Sequence, residues 1–157
     1  MRPARLALPL VLAASLAVAQ DAPAPLAPEE AHEFRSQHMK VYAANLQVLG
    51  PMAQGAAPYD AAAAQAAADA ILANATSDDW AIMWPEGSAQ GEVEDSEALP
   101  AIWENPEGFE AAHVALIDAA TALQASAGTD LEGLQTALGG LGASCGGCHQ
   151  SYRAADD

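Results

Sequence analysis

Positive charge is scarce in this 157-residue chain, where five Lys and Arg stand against 21 Asp and Glu for a formal net charge of −16. Such a field repels phosphate backbones and anionic headgroups, so nucleic acid and anionic lipid are poor partners, and the charge fits a basic protein partner or equally a solubilising acidic surface. Cysteine is scarce too, with only Cys145 and Cys148, which excludes the densely cross-linked scaffold of small secreted domains. Neither strand-like alternation nor an internal repeat stands out, which argues against an all-β or solenoid architecture. Long apolar runs are missing as well. The stretch from Leu6 to Leu16 is shorter than the roughly 20 residues that cross a bilayer, and no later apolar run matches it, so the chain is not membrane-embedded.

What the chain does have begins at its N-terminus. Arg2 and Arg5 precede that apolar run, and Ala17-Val18-Ala19 closes it, the layout of a secretory leader. Residues 1–19 are read as a signal peptide cleaved after Ala19, which places the mature protein in the periplasm. Removing nineteen of 157 residues leaves 138, and losing Arg2 and Arg5 takes the net charge from −16 to −18. That length suits one domain around one core. Residues 20–27, rich in proline, read as a flexible lead-in, and 28–157 as the folded domain.

Four helices follow from periodicity and end signals. Arg35, Met39, Tyr42, Leu46 and Leu49 recur at helical spacing, and Gly50-Pro51 is expected to stop that helix at about residue 49. Asp60 to Asn74 is a run of strong helix formers. Thr76 to Glu104, with Trp-Pro-Glu-Gly, a solvated acidic run and Leu99-Pro100, reads as a long irregular connection. Asn105-Pro106 starts the third helix, whose face carries Phe109, His113, Leu116, Ala120 and Leu123, and Gly128 closes it. Thr129-Asp130-Leu131-Glu132 fits a capping box opening the fourth helix, where Leu134, Leu138, Leu141, Cys145, Cys148 and Tyr152 form the stripe. The predicted fold class is all-α, an antiparallel four-helix bundle.

The chemistry lies on that last stripe. Cys145-Gly146-Gly147-Cys148-His149 is the CxxCH attachment signature of c-type haem. Side chains three apart on a helix are neighbours, so both sulfurs can bond the two vinyl groups of one porphyrin edge while His149 reaches the iron. Gly146 and Gly147 clear the space between them at a helix cost of about 1–2 kcal/mol relative to Ala. A redox CxxC belongs at a helix N-terminus after a strand, a zinc site needs further ligands, and a plain disulfide has no use for the histidine. One covalent haem c is therefore the expected cofactor, and no second acid, base or nucleophile constellation suggests an enzyme.

CGGCHQSYR at the end of an exported helical chain, RSQHMK in its first helix, YDAAAAQAAADAILA, WPEGS and ALPAIWENPEGF resemble the class II c-type cytochromes, a family that includes cytochrome c′. The resemblance implies thioether bonds from Cys145 and Cys148, His149 as proximal iron ligand, and Arg35 beside a haem propionate. Read from the residues alone, Arg35 sits on the core stripe and needs an anionic partner, which a propionate or a carboxylate such as Glu29 or Glu30 would serve. Arg153 is a second propionate or surface candidate.

Met39 holds the position that divides the family. In low-spin members a first-helix Met fills the sixth iron position and the protein carries electrons; in cytochrome c′ that position is open and binds nitric oxide or carbon monoxide. The expectation is His/Met ligation and one-electron transfer, with the gas-binding form as alternative and packing as the other role open to Met39. Met52 and Met83 are lesser candidates. His113 is expected to be a core or rim histidine bonded to a neighbour, and His32 and His38 to lie on the surface. Trp80, Trp84 and Trp103 are expected to pack bundle ends over the haem or the loop. The family also implies redox protein partners and a homodimer through the first two helices, where Ala43 and Ala44 permit close contact.

Overall fold

In the computed structural model, which describes residues 24–155, four long helices carry the fold. They are α1 (Pro28–Ala53), α2 (Ala61–Ala75), α4 (Pro106–Ser126) and α5 (Leu131–Tyr152), with a short α3 (Ala101–Glu104) before α4. The chain is an all-α four-helix bundle in which α1 packs on α2 and α5, and α4 packs on α2 and α5. The leader and the cleavage site at Ala19 lie outside the described residues.

Local chemistry sets the helix starts. Asp60 accepts from the Ala62 and Ala63 amides at 3.0 Å each, and Asn105 accepts from Gly108 at 3.2 Å with Pro106 as the first helical residue. These side chains satisfy amides that have no intrahelical acceptor. For α5 the cap is one residue later than the expected box, since Asp130, not Thr129, accepts from Gly133, at 2.7 Å.

Two helix ends also differ from expectation. Gly50-Pro51 does not stop α1, which runs on to Ala53. Buried Met52 anchors the extra turn. Its carbonyls find partners too: Pro51 O accepts from Ala56 at 2.8 Å, and Ala53 O from the Gln135 side chain of α5 at 2.7 Å. Gly128 closes α4 by close approach: a Cβ there would lie 2.5 Å from Gln65 Oε1 and 3.2 Å from Ala61 O at the start of α2.

The core divides into two clusters. The larger joins Leu49, Ala64, Ala68, Ile71, Ala120, Leu123, Leu134 and Leu141, all essentially inaccessible to solvent, and alanines on α2 let the helices approach closely. The smaller gathers Ile102, Phe109 and Tyr152, with Trp80, Trp84 and Trp103 packed on it.

The connection from residue 76 to 104 is more built than expected. It holds a 3-10 turn at Asp78–Ile82 as well as α3. Its far end is strapped to the end of α5, with Leu99 N donating to Tyr152 O at 3.0 Å and Ala154 N to Glu97 O at 2.8 Å. The lead-in is tied at Leu26, whose amide donates to Ile82 O at 3.1 Å. Among the described residues no helix is long and apolar enough to cross a membrane.

Candidate functional site

The second cluster borders a cavity of about 680 Å³ between α1, α4, α5 and the 80–98 connection. Arg35, Met39, Cys145, Cys148 and His149, the side chains singled out by sequence, all line it. Helix spacing explains the convergence. Arg35 and Met39 are four apart on the inward face of α1, and Cys145 and Cys148 three apart on that of α5.

The two thiols are half-buried at the wall. Burial pushes both above the ordinary thiol range, with a Ser144 hydrogen bond opposing it at Cys145 and the neighbouring thiol adding to it at Cys148. A redox-active dithiol needs the opposite shift. The Cys motif sits in the last two turns of a 22-residue helix, far from its N-terminus. Among the described residues no group of three His, Cys, Asp or Glu could hold a metal ion, so nothing completes a zinc site. Desolvation lowers His149, Arg153 lowers it further and Glu97 opposes; the residue lies at the cavity lining.

Arg35 is only 6% exposed, yet its partners are neither Glu29 nor Glu30. Nη1 donates to Met83 O at 2.8 Å and Ser88 Oγ at 2.9 Å; Nη2 donates to Ser88 O at 2.9 Å and, more weakly, to Ser96 Oγ at 3.4 Å. The guanidinium also lies 5.0 Å from the Trp84 ring centre. It is a positive charge held by neutral acceptors at a cavity wall. Burial lowers its pKa, the mark of a cation that lacks a compensating anion. Arg153 instead pairs with Glu97, Nε to Oε2 2.7 Å, at the rim.

Met39 is half-buried against the main core and lines the cavity beside Tyr42, Leu46 and Leu116. Met52 and Met83 are buried elsewhere, away from that lining. His113 is buried as expected: its Nε2 donates to Ala75 O at 3.0 Å, and its ring stacks on Trp80 at 3.8 Å and 9°. His38 is a correction. It is 6% exposed, 3.5 Å from Tyr42 Oη and edge-on to that ring, because position 38 falls between Arg35 and Tyr42 at spacings of three and four. His32 is half-buried at the cavity. Trp80 and Trp84 wall the cavity, and Trp103 braces them by donating to Trp84 O at 3.2 Å.

The pattern that defines the cytochrome c′ family matches residues 30–153. The chain belongs to the class II cytochrome c family. A cytochrome c-554 of Cereibacter sphaeroides is 46% identical over 99% of this chain and 100% of the relative, and a cytochrome c-556 of Agrobacterium fabrum is 40% identical over 77% and 79%. A solved cytochrome c′ from Rhodobacter sphaeroides superposes with a TM-score of 0.78 at 30% identity, covering 83% of this chain and all of that one. The cofactor of this class II cytochrome is covalently attached haem c. The cavity fits it: apolar walls, two thiols three residues apart, an imidazole beside them and a buried cation without an anion. Trp84 Nε1 is the one buried side-chain polar atom without a partner among the described residues.

The residues that sequence reasoning missed are those reaching Arg35 from far along the chain, Met83, Ser88 and Ser96. No local pattern marks them. WPEGS did mark the segment, and its Gly87 adopts a φ of +82°, which favours glycine.

Proposed function

We propose that this class II cytochrome is an exported monohaem electron carrier and not an enzyme. In this reading Cys145 and Cys148 hold the haem, His149 and Met39 bind its iron, and Arg35 faces a propionate. The observation that carries it is that these five side chains, from the two ends of the sequence, line one cavity. Bound haem supplies a reversible one-electron couple. The bundle limits water access and sets the potential; a thioether from Met39 favours the reduced iron and raises that potential. Residues 1–19 direct export to the periplasm, where the net charge of the mature chain suits a basic redox partner. Pairing of two copies through α1 and α2 is supported by Val41 and Val48, exposed on α1 at 38% and 39%.

The test is Met39→Ala in the purified holoprotein. Loss of the sharp split visible bands and a lower midpoint potential are expected; an unchanged spectrum and potential would remove Met39 as ligand.

A second reading has its own support. Leu46 and Leu116 stand beside Met39 at the same cavity, an apolar setting that suits neutral diatomic ligands at an open iron position. A neighbour at 32% identity and TM-score 0.71, a cytochrome c′ variant from Alcaligenes xylosoxidans, was solved as a nitric oxide complex. Immediate carbon monoxide binding by the reduced wild-type protein would favour this form.

A further inference from the structure

We infer that Lys40 is a second haem-binding cation, its ammonium pairing with the propionate that Arg35 does not serve; this rests on the haem reading above. The chain places its positive charge selectively. Arg35, Lys40 and Arg153 are the only Lys and Arg among the described residues, against 21 Asp and Glu in the whole chain. All three line the one cavity. A chain that is acidic everywhere else gathers its cations around this space, and so suits it to an anionic occupant.

Two of the three are already engaged with the protein. The terminal nitrogens of Arg35 donate to Met83 O, to Ser88 Oγ and O, and to Ser96 Oγ, while Arg153 Nε donates to Glu97 at 2.7 Å. Lys40 makes no ion pair among the described residues. Helix spacing offers it none either, because the positions three and four away on α1 are Ser36, Gln37, Ala43 and Ala44, and none is acidic. What Lys40 does have is the cavity. It follows Met39 and lies one turn beyond Ser36, both of which line the same wall, and it is itself exposed there. A lysine so placed rests its methylenes on apolar surface and keeps its ammonium at the water-facing edge. Haem c carries two propionates. In the reading above one of them meets the buried Arg35, and the other needs a cation nearer solvent, which is the setting of Lys40.

The experiment uses the reduced holoprotein with ¹³C-labelled propionate carboxyls, whose resonances follow the protonation of each carboxylate separately. Lys40→Gln removes the charge and keeps a long side chain, so the carboxylate it serves loses a favourable neighbour and its pKa rises. One carboxyl should then titrate about half a pH unit higher, the scale of an exposed ion pair, while the other keeps its wild-type midpoint. Lys40→Arg, which keeps the charge, should restore the wild-type curve. In the wild type, about 1 M salt should raise that same carboxyl alone, since an exposed pair is screened more than a buried one. Coincident titrations of wild type and Lys40→Gln, or an equal rise of both carboxyls, would overturn the inference, the first leaving Lys40 as surface charge and the second as a diffuse field. The salt titration of the wild type decides even if the variant does not fold. A purified mass lacking the haem would instead overturn the underlying reading, and this inference with it.

Discussion

The two ends of the bundle are built to different rules. Toward the α1–α2 turn, Leu49, Ala64, Leu123 and Leu134 are closed to solvent and fill the space among the helices. Toward the C-terminus of α5 the same inward stripes continue, yet Met39, Cys145 and Cys148 are only half-buried, and aromatic rings surround a cavity of about 680 Å³. Periodicity alone does not distinguish the ends. The difference lies in what the inward residues can do: hydrocarbon that only packs at one end, and sulfur, imidazole and guanidinium at the other. A protein interior leaves few voids of this size, so an apolar cavity lined by those groups is space shaped for another molecule.

Breaking each end should therefore give different losses. The largest effect is expected at the open end, where Cys145→Ala with Cys148→Ala abolishes covalent haem, read as the loss of haem mass from the intact protein. At the closed end, Leu123→Ala should cost about 2–5 kcal/mol in denaturant unfolding while leaving the visible spectrum of the folded protein unchanged. A changed spectrum there would mean the ends are not separate.

Acid sharpens the comparison. Burial lowers His113 against the opposing pull of its Ala75 carbonyl bond and Glu110. Its folded-state pKa is below its unfolded value, so the unfolded chain binds the extra proton. The stability it contributes is present above the unfolded value of 6.5 and is lost as pH falls through the folded one. His113→Gln should flatten the fall of the urea midpoint below that pH; an identical pH profile would refute the account. Smaller still, Asp130→Ala removes the α5 cap and should cost about 1 kcal/mol, read by the same unfolding curve. Least of all, Glu97→Gln breaks a rim pair whose side chains are 37% and 50% exposed, and should cost less than about 1 kcal/mol.

Much of the closed end was legible in the sequence because it depends on local rules: stripes at three and four, Asp60 as a cap, Asn105-Pro106 as a start. The exceptions came from tertiary contacts. Pro51 could not stop α1 because Met52 is buried and Gln135 reaches across from α5 to Ala53. His38 looked like surface by polarity, although its spacing from Arg35 and Tyr42 put it on the inward face. At the open end CxxCH fixed the chemistry at one stroke, since its spacing is itself the geometry required. What could not be read was the setting of Arg35, whose acceptors lie 48 to 61 residues away, and the unsatisfied indole of Trp84, which exists only once the loop has folded over α1.

The measurement that bears most directly on the open end is the visible spectrum of the reduced wild-type holoprotein before and after carbon monoxide. Sharp split bands that carbon monoxide barely perturbs are the predicted result, with Met39 and His149 both on the iron. Broad bands that shift at once would contradict it and leave Met39 as packing beside an open site.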